Sequence, residues 1–266
     1  MLDGNSIVGR ADVVLVTLDT LRYDVAVSAL QDGRTPALAA RLPGGQWERR
    51  HSPGSFTYAA HQAFFAGFLP TPATPGVHPR LFALRFEGSE TITERTCGFD
   101  APDLVSGFAG RGYHTACIGG VGFFNKQNPL GCALPSLFAE SHWSPELGVT
   151  EPRAPDHQIA LACAIAGRTP GRLFLFLNVS ALHQPNCHYL PGASSDSPQT
   201  QAAALGYLDA RLPALFAAFA QRGPTFFIFC SDHGTAYGED GYHGHRLAHP
   251  VVWTVPYAEF LCEASG

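Results

Sequence analysis

An α/β fold built on a mostly parallel central sheet is what this sequence predicts, and three observations predict it. First, residues 11–18, 172–178 and 225–230 are predominantly apolar runs rich in β-branched and aromatic side chains, the composition of strands buried on both faces. Second, segments of helical character, at 157–167 and 199–222, alternate with those runs. Third, the runs lead into Asp19, into the segment holding His183, and into Asp232-His233. Open α/β sheets hold their ligands just outside the carboxyl ends of their strands, and that is where these polar residues fall. At 266 residues the chain suits one large α/β domain, and no repeat or linker divides it, so 1–266 is read as a single unit.

Composition narrows the partners. A formal charge of −5 leaves no excess of Lys and Arg for a nucleic-acid footprint. An anionic small molecule would need local positive charge from a metal or from His, and 12 His against 17 Lys plus Arg directs the search to a metal site. The cysteines at 97, 117, 132, 163, 187, 230 and 262 are scattered and form no C-x-x-C pair, a pattern of reduced thiols in the cytosol. No secretory leader and no apolar run of membrane-spanning length is expected, so the expected compartment is the cytoplasm, with no membrane partner.

Each element follows in order. The run 11–18 is the first central strand and delivers Asp19 to its end. Carboxylates converging from two strands, Asp19 and Asp232, repel each other unless a cation lies between them; Asp19 alone is equally explained as a helix cap. Residues 35–42 read as a short helix capped by Thr35, with Pro36 at its first position. A turn-rich loop at 51–57 feeds a helix at 57–67, with Thr57 at the N-cap and Gly67 closing it. A hydroxyl there sits in the positive end of the helix dipole, which favours an alkoxide and a bound phosphate or sulfate, although capping by itself accounts for a Thr. Residues 70–79 are a Pro-rich loop, 101–110 a helix and 113–118 a strand. The Gly-rich turn Gly119-Gly120-Val121-Gly122-Phe123-Phe124-Asn125 lets backbone approach a ligand but lacks the spacing of a nucleotide motif. Residues 129–153 receive no assignment. His183 lies near a strand end, as either a site residue or a loop residue. The 199–222 helix is kinked or split at Pro213. After Asp232-His233 comes a Gly-rich loop with His243, His245 and His249, and 251–256 reads as the last strand.

The stretch Val13-Val14-Leu15-Val16-Thr17-Leu18-Asp19-Thr20-Leu21-Arg22-Tyr23-Asp24 resembles the first metal strand of the alkaline phosphatase/sulfatase superfamily. Ser231-Asp232-His233-Gly234, followed by Gly238-Glu239, Gly241, Gly244-His245 and Val255-Pro256, is similar to the C-terminal metal strand and its loop. Residues 57–67 with Pro70 resemble the nucleophile helix, in which the reactive residue lies ten positions before a Gly, here Thr57 before Gly67. Thr57 and His61 also resemble the T-x-x-x-H of phosphodiesterases in the superfamily, and Leu182-His183-Gln184-Pro185 its H-x-P segment. The resemblance implies a three-layer α/β/α sandwich without the usual C-terminal sulfatase subdomain.

What the resemblance implies for chemistry is specific. Asp19, Thr57, Asp232 and His233 would ligate one divalent cation, Zn or Mn, with a second metal as an alternative. Thr57 would be the nucleophile, with His183 and His245 binding non-bridging oxygens or protonating the leaving group. His61 and Asn125 would join them on the substrate side. The departures favour phosphoryl transfer over sulfate-ester hydrolysis. Thr57 stands where sulfatases carry Cys or Ser, His61 stands at their Arg, Thr20 at their second Asp, and Gly119-Gly120-Val121-Gly122 lacks their Lys and His. Residues 119–125 are closer to the phosphoglycerol and phosphoethanolamine transferases. The expected activity is therefore a metal-dependent hydrolase or transferase of phosphate esters or diesters through a phosphothreonine. The alternatives are a sulfatase or phosphonate hydrolase on the same site, or a non-catalytic metal- or anion-binding partner protein. In a plain α/β binding domain, the Asp and His side chains would lie far apart.

Overall fold

The computed structural model describes residues 2–66 and 103–264, so the expectations for Gly67, Pro70, the 70–79 loop and Cys97 lie outside the described residues. Its strands are β1 (Asp12–Leu18), β2 (Glu48–His51), β3 (His114–Ile118), β4 (Glu140–His142), β5 (Leu173–Val179), β6 (Thr225–Cys230), β7 (Ala236–Tyr237), β8 (His243–Gly244) and β9 (Thr254–Cys262). They form a 7-stranded sheet in the order β2-β9-β6-β1-β5-β3-β4 and a 2-stranded ribbon of β7 and β8. From β6 across to β4 every neighbour is parallel, whereas β9 runs antiparallel to both β6 and β2. The apolar runs at 11–18, 172–178 and 225–230 are therefore the three central strands of a mostly parallel sheet.

Register does the work of bringing distant residues together. Thr17 pairs with Cys230, so the chain leaves β1 and β6 side by side at one edge, and Asp19 and Asp232 emerge together. Alternate residues of the strands then face opposite ways. Val14, Val16, Leu18, Leu175, Leu177, Phe227 and Phe229 pack in one core cluster with side chains of α2 (Tyr23–Gln31), α7 (Ala154–Arg168), α8 (Pro198–Asp209) and α9 (Leu212–Ala220). Val13, Leu15, Phe174, Phe176 and Phe226 pack in the other with α4 (Thr57–Ala66) and α5 (Leu104–Gly110). Two cores, one on each face of the sheet, make the three layers; α1 (Gly4–Ile7), α3 (Pro36–Ala39) and α6 (Pro129–Ala133) are short connecting helices.

Where elements differ from expectation, the reasons are local. The 199–222 helix is two helices meeting at Ala210–Arg211, with Pro213 in the first turn of α9, where its missing N–H leaves nothing unsatisfied. By length and composition alone Pro198–Ala220 could cross a membrane, contrary to the expectation that no segment approaches this. Half of its most apolar window is buried inside the domain, where Leu205, Leu208, Leu212, Leu215 and Phe219 join the core cluster. The expected strand at 251–256 starts as a short helix, α10 (Pro250–Trp253), and the strand runs on to Cys262. His249 caps that turn by accepting from the Val251 N–H at 3.2 Å, and Pro250 begins it, which overrides the β-branched composition. The charged strand β2 has no apolar signature because it lies at the rim of the sheet, where charge blunts edge pairing. All six cysteines among the described residues are free thiols.

Candidate active site

Asp19, Asp232 and His233 are each buried, and one ligand atom from each lies within 4.8 Å of the others. Asp232 accepts at Oδ1 from the backbone N–H of Thr20 at 3.1 Å and of His233 at 3.0 Å. Its Oδ2 has no hydrogen-bond partner among the described residues, and neither does Oδ1 of Asp19. Two buried carboxylate oxygens left bare beside each other are costly unless a cation neutralises them. Burial, and the neighbouring Asp232 charge, push the Asp19 carboxyl up, and burial raises Asp232 to about 7. The histidine completes the donor set. His233 donates from Nδ1 to the Gly234 carbonyl at 2.8 Å, which turns the lone pair of Nε2 toward the carboxylates, 3.5 Å from Asp232 Oδ2. Burial pulls the His233 pKa down, so it presents a neutral, metal-ready nitrogen. The donor set thus fits a divalent cation of the Zn or Mn type.

The surroundings orient these ligands. Asn178, the polar residue near the end of β5, donates to Asp19 Oδ2 at 2.9 Å and to Thr17 Oγ1 at 3.2 Å. Thr20 adopts φ 63°, a left-handed conformation that is strained for a β-branched residue. That turn aims its N–H at Asp232 and sends its hydroxyl to the Leu182 carbonyl at 2.9 Å, away from the cluster. Gly234 is required by a close approach, since a Cβ there would collide with the Val251 carbonyl oxygen of α10. Gly234→Ala is therefore expected to destabilise the fold by about 1–3 kcal/mol or more, as an overpacked site does, read as a lowered denaturation midpoint. A midpoint equal to wild type would show that α10 yields.

Thr57 is the first residue of α4 rather than its cap; the Phe56 carbonyl accepts from the Ala60 N–H at 3.2 Å and starts the helix. The Thr57 hydroxyl is buried and lies 3.3 Å from His233 Nε2, next to the carboxylate cluster. The four expected ligand residues, separated along the chain, therefore meet in one place. His61 does not join the substrate side. It is fully buried, donates from Nδ1 to the Thr57 carbonyl at 2.7 Å, and accepts at Nε2 from Thr17 Oγ1 at 3.2 Å. Phe64, Phe124 and Phe176 meet its ring edge-on, each at 5.4 Å. Burial pulls its pKa down to about 3, so it is a neutral strut that fixes the first turn of α4 to β1.

An open cleft of about 440 Å³ lies outside Thr57 and is shared by Asn125, His183, His245 and Arg246. His183 donates from Nδ1 to the Gln184 carbonyl at 2.6 Å, leaving Nε2 for the cleft. The His245 ring lies 4.6 Å from that of His233 and 5.7 Å from that of His183. Burial, then the neighbouring His233, His183 and Arg246, push its pKa down to about 3. Arg22, buried after β1, pairs with both Asp24 and Glu239 and so ties the loop carrying His245 to the Asp19 loop. Asn178, Arg22 and Arg246 have no assigned role in the sequence, and Thr20 reads only as the departure from a second Asp. Only Asn178 left a signal there, as the single polar residue in an apolar run. Neither the expected Gly-rich turn nor any other motif pointed to Arg246.

The Sulfatase family matches residues 11–257 of this chain. No curated protein sequence matches it. Among solved structures, the soluble domain of lipooligosaccharide phosphoethanolamine transferase A from Neisseria meningitidis is similar with a TM-score of 0.64 at 16% identity, over 96% of this chain and 77% of that one. The C-terminal periplasmic domain of EcEptC from Escherichia coli, in complex with Zn, is similar with a TM-score of 0.64 at 12% identity, over 94% and 72%. The lipoteichoic acid synthase LtaP from Listeria monocytogenes gives 0.60 at 11% identity, over 94% of this chain and 64% of that one. At such identities these likenesses establish the fold.

Proposed function

This chain belongs to the Sulfatase family, and from that premise we propose that it is a divalent-metal-dependent enzyme transferring the phosphoryl group of phosphate esters or diesters through a phosphothreonine at Thr57. The observation that carries this reading is the Thr57 hydroxyl lying 3.3 Å from His233 Nε2, at the N-terminus of α4 and beside two carboxylate oxygens without partners. A cation held by Asp19, Asp232 and His233 would acidify that hydroxyl and offset charge on the transferring group. Thr57 Oγ1 gives its proton to solvent in the open cleft and bonds to phosphorus as the ester O–P bond breaks. The departing oxygen takes a proton. Water or an acceptor alcohol then bonds to phosphorus and gives up its proton, and Thr57 leaves with its oxygen and is reprotonated. His183, whose Nε2 is left for the cleft, and His245 beside it are placed to bind the non-bridging oxygens or to protonate the departing oxygen.

Phosphate is favoured over sulfate because the nucleophile is an unmodified Thr and because Gly119-Gly120-Val121-Gly122 offers no Lys or His to the site. The structural neighbours named as phosphoethanolamine transferase and lipoteichoic acid synthase support the same side. The test is a chelated protein reloaded with Zn or Mn and offered an aryl phosphate, an aryl phosphodiester and an aryl sulfate. Metal-dependent turnover of a phosphate substrate, faster than of the sulfate, is expected. Faster sulfate turnover would overturn the assignment, and absence of both turnover and metal uptake would favour a non-catalytic binding partner.

A further inference from the structure

Arg246 stands at the cleft in an unusual state. Its backbone has φ 69°, a left-handed conformation that glycine adopts freely and an arginine does not. Its N–H donates to the Ser55 carbonyl at 2.8 Å, which fastens it to the segment leading into Thr57. Its guanidinium lies 5.7 Å from the centre of the Phe56 ring and has no carboxylate partner among the described residues. The side chain is thus held over an aromatic face, with its N–H donors unspent among the described residues. Were the side chain idle, glycine would serve this backbone better, and strain of this kind persists where a side chain has a task.

The charge inventory of the cleft points to that task. The two carboxylates, Asp19 and Asp232, match the charge of a divalent cation, and an ionised Thr57 would add one negative charge. Among the described residues that line the cleft, Arg246 is the one fixed charge, and none is a carboxylate. Val121, Phe123, Leu130 and Val149 supply an apolar wall. Without Arg246 an anionic ester would meet an uncompensated negative centre. With it, a planar set of N–H donors at the cleft is available to the non-bridging oxygens of an ester.

We propose that Arg246 is a substrate-binding residue that grips the non-bridging oxygens of the phosphate ester, and that it selects ester groups that are apolar and uncharged over groups bearing an ammonium. The inference rests on the phosphoryl-transfer reading above and names the substrate class for that site. An ammonium group entering the cleft would meet a fixed like charge and, among the described residues that line it, no carboxylate to receive it. The structural resemblance to phosphoethanolamine transferases therefore need not extend to their headgroup.

The experiment uses the full chain loaded with Mn, in wild type and in Arg246→Ala, Arg246→Lys and Arg246→Gly. Inorganic phosphate is titrated by calorimetry, which reads binding without turnover. Arg246→Ala and Arg246→Gly are expected to weaken phosphate binding about tenfold or more, the loss of a charge-assisted hydrogen bond. Arg246→Lys is expected to recover part of it, and Arg246→Gly to melt no lower than wild type because the left-handed turn suits glycine. For turnover, an aryl ethyl phosphodiester is compared with an aryl aminoethyl phosphodiester, which differ only in the ammonium. Wild type should prefer the ethyl ester in kcat/KM, and Arg246→Ala should reduce that preference about tenfold, as removal of a like-charge clash does. Unchanged phosphate affinity in both Arg246→Ala and Arg246→Gly, no phosphate binding by wild type, or an unchanged preference would each overturn the proposal. Thr57→Ala separates it from the reaction itself. That variant should keep phosphate affinity and its dependence on Arg246, and full turnover by it would remove the nucleophile while leaving the calorimetric result on Arg246 standing.

Discussion

Thr57→Ala is expected to lower kcat by on the order of 10³-fold or more, the scale on which loss of a covalent nucleophile is felt. The expectation comes from position. Thr57 Oγ1 is the hydroxyl that lies beside His233 Nε2, at 3.3 Å, and its helix end supplies positive potential to a bound phosphate. Asp19, Asp232 and His233 remain in the variant, so metal uptake should weaken far less than turnover. Thr57→Ser should restore part of the rate because it restores the oxygen. A mass shift of one phosphate on Thr57 during turnover, absent from Thr57→Ala, would identify the covalent species directly. Wild-type kcat in the alanine variant would move the reaction to another nucleophile, such as a water.

The second large effect is on stability, and it reverses with metal. In chelated protein, burial raises Asp232 to about 7 from 3.8 in the unfolded chain. The folded state therefore holds a proton that the unfolded state has released in this window. Stability from this group is full below the unfolded value and lost as pH rises through about 7. The size is on the order of a few kcal/mol. His61, His233 and His245, all pushed down, act in the opposite sense, since the unfolded chain takes up their protons as pH falls below 6.5. Asp19, raised by burial and by the Asp232 charge, acts in the same sense as Asp232, and comparing wild type with Asp232→Asn isolates the part of the pH dependence that needs the Asp232 carboxylate. The asparagine variant, chelated, should gain on wild type as pH rises from 4 to 8. Saturating Zn or Mn should invert that order, because an ion at about 1,000 times its Kd adds about 4 kcal/mol to the protein that binds it. Parallel pH–stability curves, with no response to either ion, would mean that the cluster does not hold a cation.

Much of this was legible in the sequence because two kinds of signal are strong. The apolar runs that became β1, β5 and β6 read as central strands through β-branched and aromatic content alone, and Asp19 and Asp232-His233 stood at their ends. The residues that orient the ligands were harder to read because orientation is a property of backbone and packing. Nothing in the identity of Thr20 announces a left-handed turn, and its N–H, not its side chain, is what reaches Asp232. His61 misled in the other direction. Its spacing from Thr57 is that of a motif, but an i, i+4 pair on a buried helix face can equally point into the sheet, and here four phenylalanines surround it. The rim strand β2 and the three-residue β4 carried too little apolar pattern to be seen.

The sheet order has a further bearing on durability. The two strands that hold the anchoring side chains both sit inside the array, β1 between β5 and β6, and β6 between β1 and β9. Fraying begins at margins, and the margins here are the charged Glu48–His51 and the brief Glu140–His142. Such breathing leaves the centre's geometry untouched. A captured ion would then escape by the solvent-facing mouth, or wait for the whole domain to come apart.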